Sequence, residues 1–133
     1  MTRYGWLLGI VAALAIPAAS AAAPATTQPS KAVLVDVNIT DHGIRTAMFH
    51  TDGPKATDYY AAYYAMRGEV AYFVVRNKGR RPHDFTVLGK KTKTLRPGGS
   101  ARFHVTLLRR GAFTYRSTLD GGKKGFRGVF TVA

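Results

Sequence analysis

From residue 33 onward, apolar side chains recur at every second position in short runs, and turn sequences break those runs. Val33, Val35, Val37 and Ile39 fall on one side of the first run, with Asp36 and Asn38 on the other. Phe103, Val105 and Leu107 repeat the pattern later, opposite Arg102, His104 and Thr106. Side chains alternate across a strand, so a period of two marks a strand with one buried face, and a helix could not gather these residues on one side. Repeated between closely spaced turns, the pattern predicts an all-β sandwich or barrel of about seven to eight short strands.

The punctuation supports this count. Asp41-His42-Gly43 turns the chain into a second strand near Ile44 to Phe49. Lys78 to Pro82, Leu95 to Gly99 and Arg110-Gly111 supply further turns rich in proline and glycine. Val70 to Asn77 is apolar nearly throughout, as in a central strand covered on both faces. His83 to Leu88 reads as the next strand, Phe113, Tyr115 and Ser117 share one face, and Val129 to Val132 closes the domain. The polar stretch from His50 to Asp58 reads as a loop. The tyrosine-rich YYAAYYAM that follows reads as a short helical or irregular insertion, because Tyr59, Tyr63 and Met66 fit one helical face.

The N-terminus carries different information. Arg3 followed by the apolar run Trp6 to Ile16, and then Ala19-Ser20-Ala21, has the layout of a secretion signal occupying residues 1–21. The run is too short to span a bilayer, so no transmembrane segment is expected after cleavage. Residues 22–32, small, polar and proline-bearing, read as a flexible leader. Residues 33–133 then form one domain, which is secreted, periplasmic or held at the cell surface. No cysteine occurs in the chain, which removes disulfides, thiolate metal sites and cysteine nucleophiles. The net charge is +13, a strongly basic balance that favours anionic partners: an acidic protein or an anionic envelope component rather than a specific nucleic acid.

Four ordered stretches, NKGRRPHDFTV (77–87), LRPGG (95–99), GAFTYRS (111–117) and GFRGVFTV (125–132), together resemble the cupredoxins, the plastocyanin-like blue copper proteins, and in particular their small exported bacterial relatives. The resemblance implies a cupredoxin-like Greek-key β-sandwich. It also implies a copper site made from two histidines, a cysteine and a methionine, in which the soft thiolate gives the metal its electron-transfer character. His83 matches the first histidine. Ser117 stands where the cysteine belongs, Gly122 or its neighbour where the second histidine belongs, and Phe126 where the methionine belongs. The type 1 site is therefore degenerate. A serine hydroxyl does not imitate a thiolate, glycine has no side-chain donor, and a phenylalanine ring only packs.

Two readings of His83 remain open: a residual metal ligand, or a histidine hydrogen-bonded in the core. It shares an odd-numbered inward face with Phe85 and Val87, whereas Asp84 faces away. Asp120, three residues past Ser117, could add a carboxylate. His42, His50 and His104 fall in turns or on outward faces. Ser117 and His83 could approach one another, but no orienting acid or oxyanion donor accompanies them, and no catalytic residue is assigned. Lys123, Lys124 and Arg127 crowd the last loop, where cations oppose a metal and suit an anion.

The expected function is a non-catalytic binding or accessory module without a cofactor, docking through Lys123, Lys124, Phe126 and Arg127. The alternative is a copper-binding electron-transfer or copper-carrier protein that uses His83 with non-standard ligands. A third possibility is a polyanion binder that relies on overall charge, with no special site.

Overall fold

The computed structural model describes residues 31–51 and 60–133. The proposed secretion signal and nearly all of the leader lie outside them. The described residues form nine strands: β1 (Ala32–Thr40), β2 (Gly43–Thr51), β3 (Tyr60–Ala62), β4 (Val70–Asn77), β5 (Thr86–Val87), β6 (Lys90–Lys91), β7 (Ser100–Thr106), β8 (Gly111–Arg116) and β9 (Arg127–Val132). No helix occurs among the described residues, so none of these could cross a membrane as a helix.

The strands make two sheets, ordered β3-β2-β1-β4-β7 and β6-β5-β8-β9. β1 pairs antiparallel with β2 and parallel with β4, from Ala32 against Val70 to Ile39 against Asn77. The alternation read in β1 is the reason for the core. Val33, Val35, Val37 and Ile39 are buried, lie beside Ala71, Phe73 and Val75 of β4 on one face of the sheet, and share a core with Phe85, Leu95, Phe126, Phe130 and Val132. Phe73 is the hub, with its ring centroid 4.8 Å from Phe103, 5.5 Å from Phe130 and 6.2 Å from Phe85. Burying each such side chain contributes about 1.5–3 kcal/mol, which lets a domain without disulfides hold together.

Three expectations change. Tyr60–Ala62 is a strand rather than part of a helical insertion: it pairs with His50, Phe49 and Met48 of β2. Tyrosine favours strands, and this pairing satisfies backbone groups that β2 would otherwise leave open at the sheet edge. Tyr59 lies outside the described residues, whereas Tyr63 and Met66 are exposed and form no helical face. β4 is fully covered on one face only, since Val70, Tyr72 and Val74 on its outer side stay half-buried. The strand read over His83 to Leu88 is regular only at Thr86–Val87, and Leu88 (φ 51°) and Gly89 (φ 73°) then turn it sharply into β6. Positive φ at both central positions is the two-residue hairpin geometry that matches the strand twist.

The close approach of two glycines sets the shape of one end of the sandwich. A Cβ on Gly43 would lie 2.8 Å from the Gly125 carbonyl oxygen, and one on Gly125 would lie 2.9 Å from that of His42. Without side chains there, the Ile44 amide donates to Gly125 O at 2.8 Å. This contact docks the last loop against the β1–β2 turn and brings Asp41 to the site described next.

A carboxylate-lined histidine site at the loop end

Asn77 shapes the turn that delivers His83. Its side-chain amide donates to Arg81 O at 2.8 Å and to Leu95 O at 2.9 Å, while its Oδ1 accepts from the Gly79 amide at 2.9 Å. His83 is then pinned to Leu95 by a reciprocal pair of backbone bonds of 3.1 and 2.7 Å. Opposite it, the loop between β8 and β9 is closed by Ser117 N to Phe126 O at 3.0 Å and Lys123 N to Asp120 O at 3.2 Å.

His83 is fully buried, and each of its ring nitrogens faces a carboxylate. Nδ1 lies 2.7 Å from Asp120 Oδ2 and Nε2 lies 3.0 Å from Asp41 Oδ1. The Phe126 ring stacks on the imidazole at 5.5 Å and 22°. Ser117, also fully buried, places its Oγ 2.5 Å from Asp120 Oδ2 and 3.0 Å from Asp84 Oδ1. The hydroxyl carries one proton, so it donates to one of these carboxylates at a time. Thr118 Oγ1 donates to Asp84 Oδ2, and the Leu119 amide donates to Asp84 Oδ1 at 3.1 Å.

The electrostatics follow from these partners. For Asp84, burial works against the charge, but the Thr118, Leu119 and Ser117 donors outweigh it and hold the carboxyl below its ordinary range. Asp41 is held well below that range by the Arg80 amide (2.8 Å) and by His83, with the Arg81 amide (3.1 Å) adding to the effect.

His83 and Ser117 meet at Asp120, and Phe126 stacks on His83. Gly122 is exposed in the turn and contributes nothing. Asp84 does not face away: it is 1% exposed, because regular strand begins only at Thr86 and alternation does not hold across residues 83–85. Phe126, at 3% exposure, cannot serve as a docking contact, and its ring is spent on His83. Lys123, Lys124 and Arg127 are exposed. His50 is half-buried rather than solvent-facing, with Nδ1 3.0 Å from Glu69 Oε1. Sequence reasoning missed Asp41 and Asp84 and raised Asp120 without a place for it. The nearest signal was the carboxylate three residues past a buried serine.

These residues do not fit a type 1 copper. A ligating imidazole needs a free nitrogen lone pair, and either His83 nitrogen could ligate only by giving up its carboxylate. No thiolate or thioether stands nearby, since Ser117 and Phe126 are the neighbours. Among the described residues no group of three or more histidine or carboxylate side chains is arranged to hold a metal ion. A nucleophile-and-base reading also fails on geometry. Asp120 stands between Ser117 and His83, no hydrogen bond joins the two directly, and the hydroxyl is closed to solvent.

No protein-family model matches the chain, and no curated protein is similar to it in sequence. Solved structures do resemble it. Dithionite-reduced auracyanin from the photosynthetic bacterium Roseiflexus castenholzii superimposes with a TM-score of 0.53 at 14% identity, covering 75% of this chain and 96% of that one. A multicopper oxidase superimposes with a TM-score of 0.51 at 18% identity, covering 74% of this chain and only 41% of the oxidase. At such identities the likeness is one of fold. Nine strands in two sheets, with the last loop closing over a buried histidine, make this chain a β-sandwich of the cupredoxin-like fold.

Proposed function

We propose that this protein is a non-catalytic binding or accessory module, exported from the cytoplasm, that works on a cupredoxin-like scaffold without a resident metal. The observation that carries the reading is the double engagement of His83 by Asp120 and Asp41. An internal network of carboxylates and hydroxyls takes up the donors that a metal would need, and it braces the loop through Ser117 and Thr118. The braced loop presents Lys123, Lys124 and Arg127 to solvent, so recognition of an anionic partner is the task the surface supports.

Titration of the full mature chain with Cu(II), followed by calorimetry and visible absorption, tests the metal-free part. Weak, non-stoichiometric uptake that is unchanged in His83→Gln is expected. One equivalent bound through His83 would sink the reading and restore the copper carrier. For the docking end, neutralising Lys123, Lys124 and Arg127 together should weaken capture of an anionic partner, and unchanged capture would remove the loop from the interface.

A further inference from the structure

The register of the four-stranded sheet places Lys91 opposite Thr86, Thr86 opposite Arg116, and Arg116 opposite Arg127. Directly paired residues share a face, so these four form a single row crossing every strand of the sheet. The row is on the outer face, since Phe113, Tyr115 and Phe130 pair toward the core. Lys91, Arg116 and Arg127 are exposed. Three inter-strand steps of about 4.8 Å give the row a length of roughly 14 Å.

Such an arrangement opposes folding. Like charges directly across a strand pair destabilise it, and Arg116 sits directly opposite Arg127. No ion pair to an Asp or Glu side chain joins Arg116 or Arg127 among the described residues, whose Asp and Glu side chains are engaged elsewhere: Asp36 with Arg76, Glu69 with His50, and Asp41, Asp84 and Asp120 in the histidine network. Lys91 Nζ is 3.7 Å from Asp84 Oδ2, but that carboxylate is buried and held by Thr118 and Leu119. In the middle of the row, the Thr86 hydroxyl is shielded and has no hydrogen-bond partner among the described residues. The β8–β9 loop carries Lys123 and Lys124 onward from the Arg116 and Arg127 end.

We infer that the outer face of the four-stranded sheet, along the Lys91–Thr86–Arg116–Arg127 row, binds a linear phosphate-bearing polymer. The charges lie in a line across a sheet face, which suits an extended chain of repeated anions better than a folded acidic surface. Two of the three cations are arginines, whose planar forks donate to two phosphate oxygens at a time. The inference rests on the binding-module reading above and gives it a site and a ligand class. It differs from binding by overall charge because it depends on particular residues.

Inorganic polyphosphate of defined length, titrated into the full mature chain at several salt concentrations, is the probe. The Arg116→Gln/Arg127→Gln double variant should bind on the order of tenfold more weakly, with a salt slope smaller by about two. A control pair on the other sheet, Arg76→Gln/Arg102→Gln, should stay within about twofold of the wild type. Equal losses in both double variants would mean charge without a site, and absence of polyphosphate binding would overturn the proposal outright. So would row-dependent binding of a polyglutamate peptide with none of polyphosphate, which would make the partner an acidic protein. Matching thermal unfolding of all variants separates lost binding from lost fold. Stoichiometric copper binding would count against the metal-free reading alone.

Discussion

The β1–β4 core and the His83 end of the same sandwich are held by different forces. In the core, Val33, Val35, Val37 and Ile39 pack on Phe73 and Val75 with no polar group involved. At the loop end a fully buried histidine, a fully buried serine and three carboxylates are tied by directional bonds of 2.5 to 3.1 Å. Apolar burial is non-directional and tolerates exchange among residues of similar size. A polar network withstands burial only while each member keeps its partner. The first region should therefore respond to volume, and the second to charge and pH.

The largest effect tests the core. Phe73→Ala removes the ring that touches three others and should lower unfolding free energy by about 3–5 kcal/mol in urea denaturation, equally at neutral and mildly acidic pH. A loss that grows with acid would mean the two regions are not independent.

Next is the network. Asp120→Ala leaves His83 Nδ1 and Ser117 Oγ without their shared acceptor and should destabilise the chain by about 3 kcal/mol. Asp120→Asn, which keeps an acceptor oxygen, should recover part of that. If Asp120→Ala proved neutral, the network would not be what braces the loop.

A third measurement uses pH. Asp41 and Asp84 have folded-state carboxyls held below their ordinary range. Their contribution is complete above the unfolded carboxylate range and is lost as pH falls below about 4, because the unfolded chain then takes up protons first. The thermal midpoint should drop through this window, and Asp84→Asn, already less stable at neutral pH, should show a flatter profile. Parallel profiles would contradict the assignment.

Smaller again is Gly128→Ala, whose Cβ would overlap the Tyr115 hydroxyl. With the Tyr115 ring packed 5.7 Å from Phe85, a loss of about 1–3 kcal/mol is expected, and Tyr115→Ala in the same chain should relieve the clash. Least of all, Lys123→Gln/Lys124→Gln should leave stability within about 0.5 kcal/mol, since both side chains are exposed. A larger shift would place these lysines in the network's field rather than at a free surface.

Much of the fold is legible in the chain because alternation is local. The inward residues of β1, β7 and β8 can be read two positions at a time, and so can most turns. β3 and the short β5–β6 hairpin were misjudged for a physical reason. Tyr60–Ala62 becomes a strand only by pairing with β2, and Thr86–Val87 is regular only where Lys90–Lys91 and Arg116 are present to bond with it.

By itself, the sequence determined that this protein is a cysteine-free, strongly basic β-sandwich with His83 and Ser117 turned inward and with no thiolate to offer a metal. Only the tertiary structure decided what surrounds that histidine. Asp41 and Asp120 arrive from turns at opposite ends of the chain, brought together by the Gly43–Gly125 contact. Tertiary structure also decided that Phe126 is core and that Lys91, Arg116 and Arg127 stand in one row. Local periodicity reports which side of a strand a residue faces; which distant residue meets it depends on register and loop docking, and these exist only once the sheets have packed.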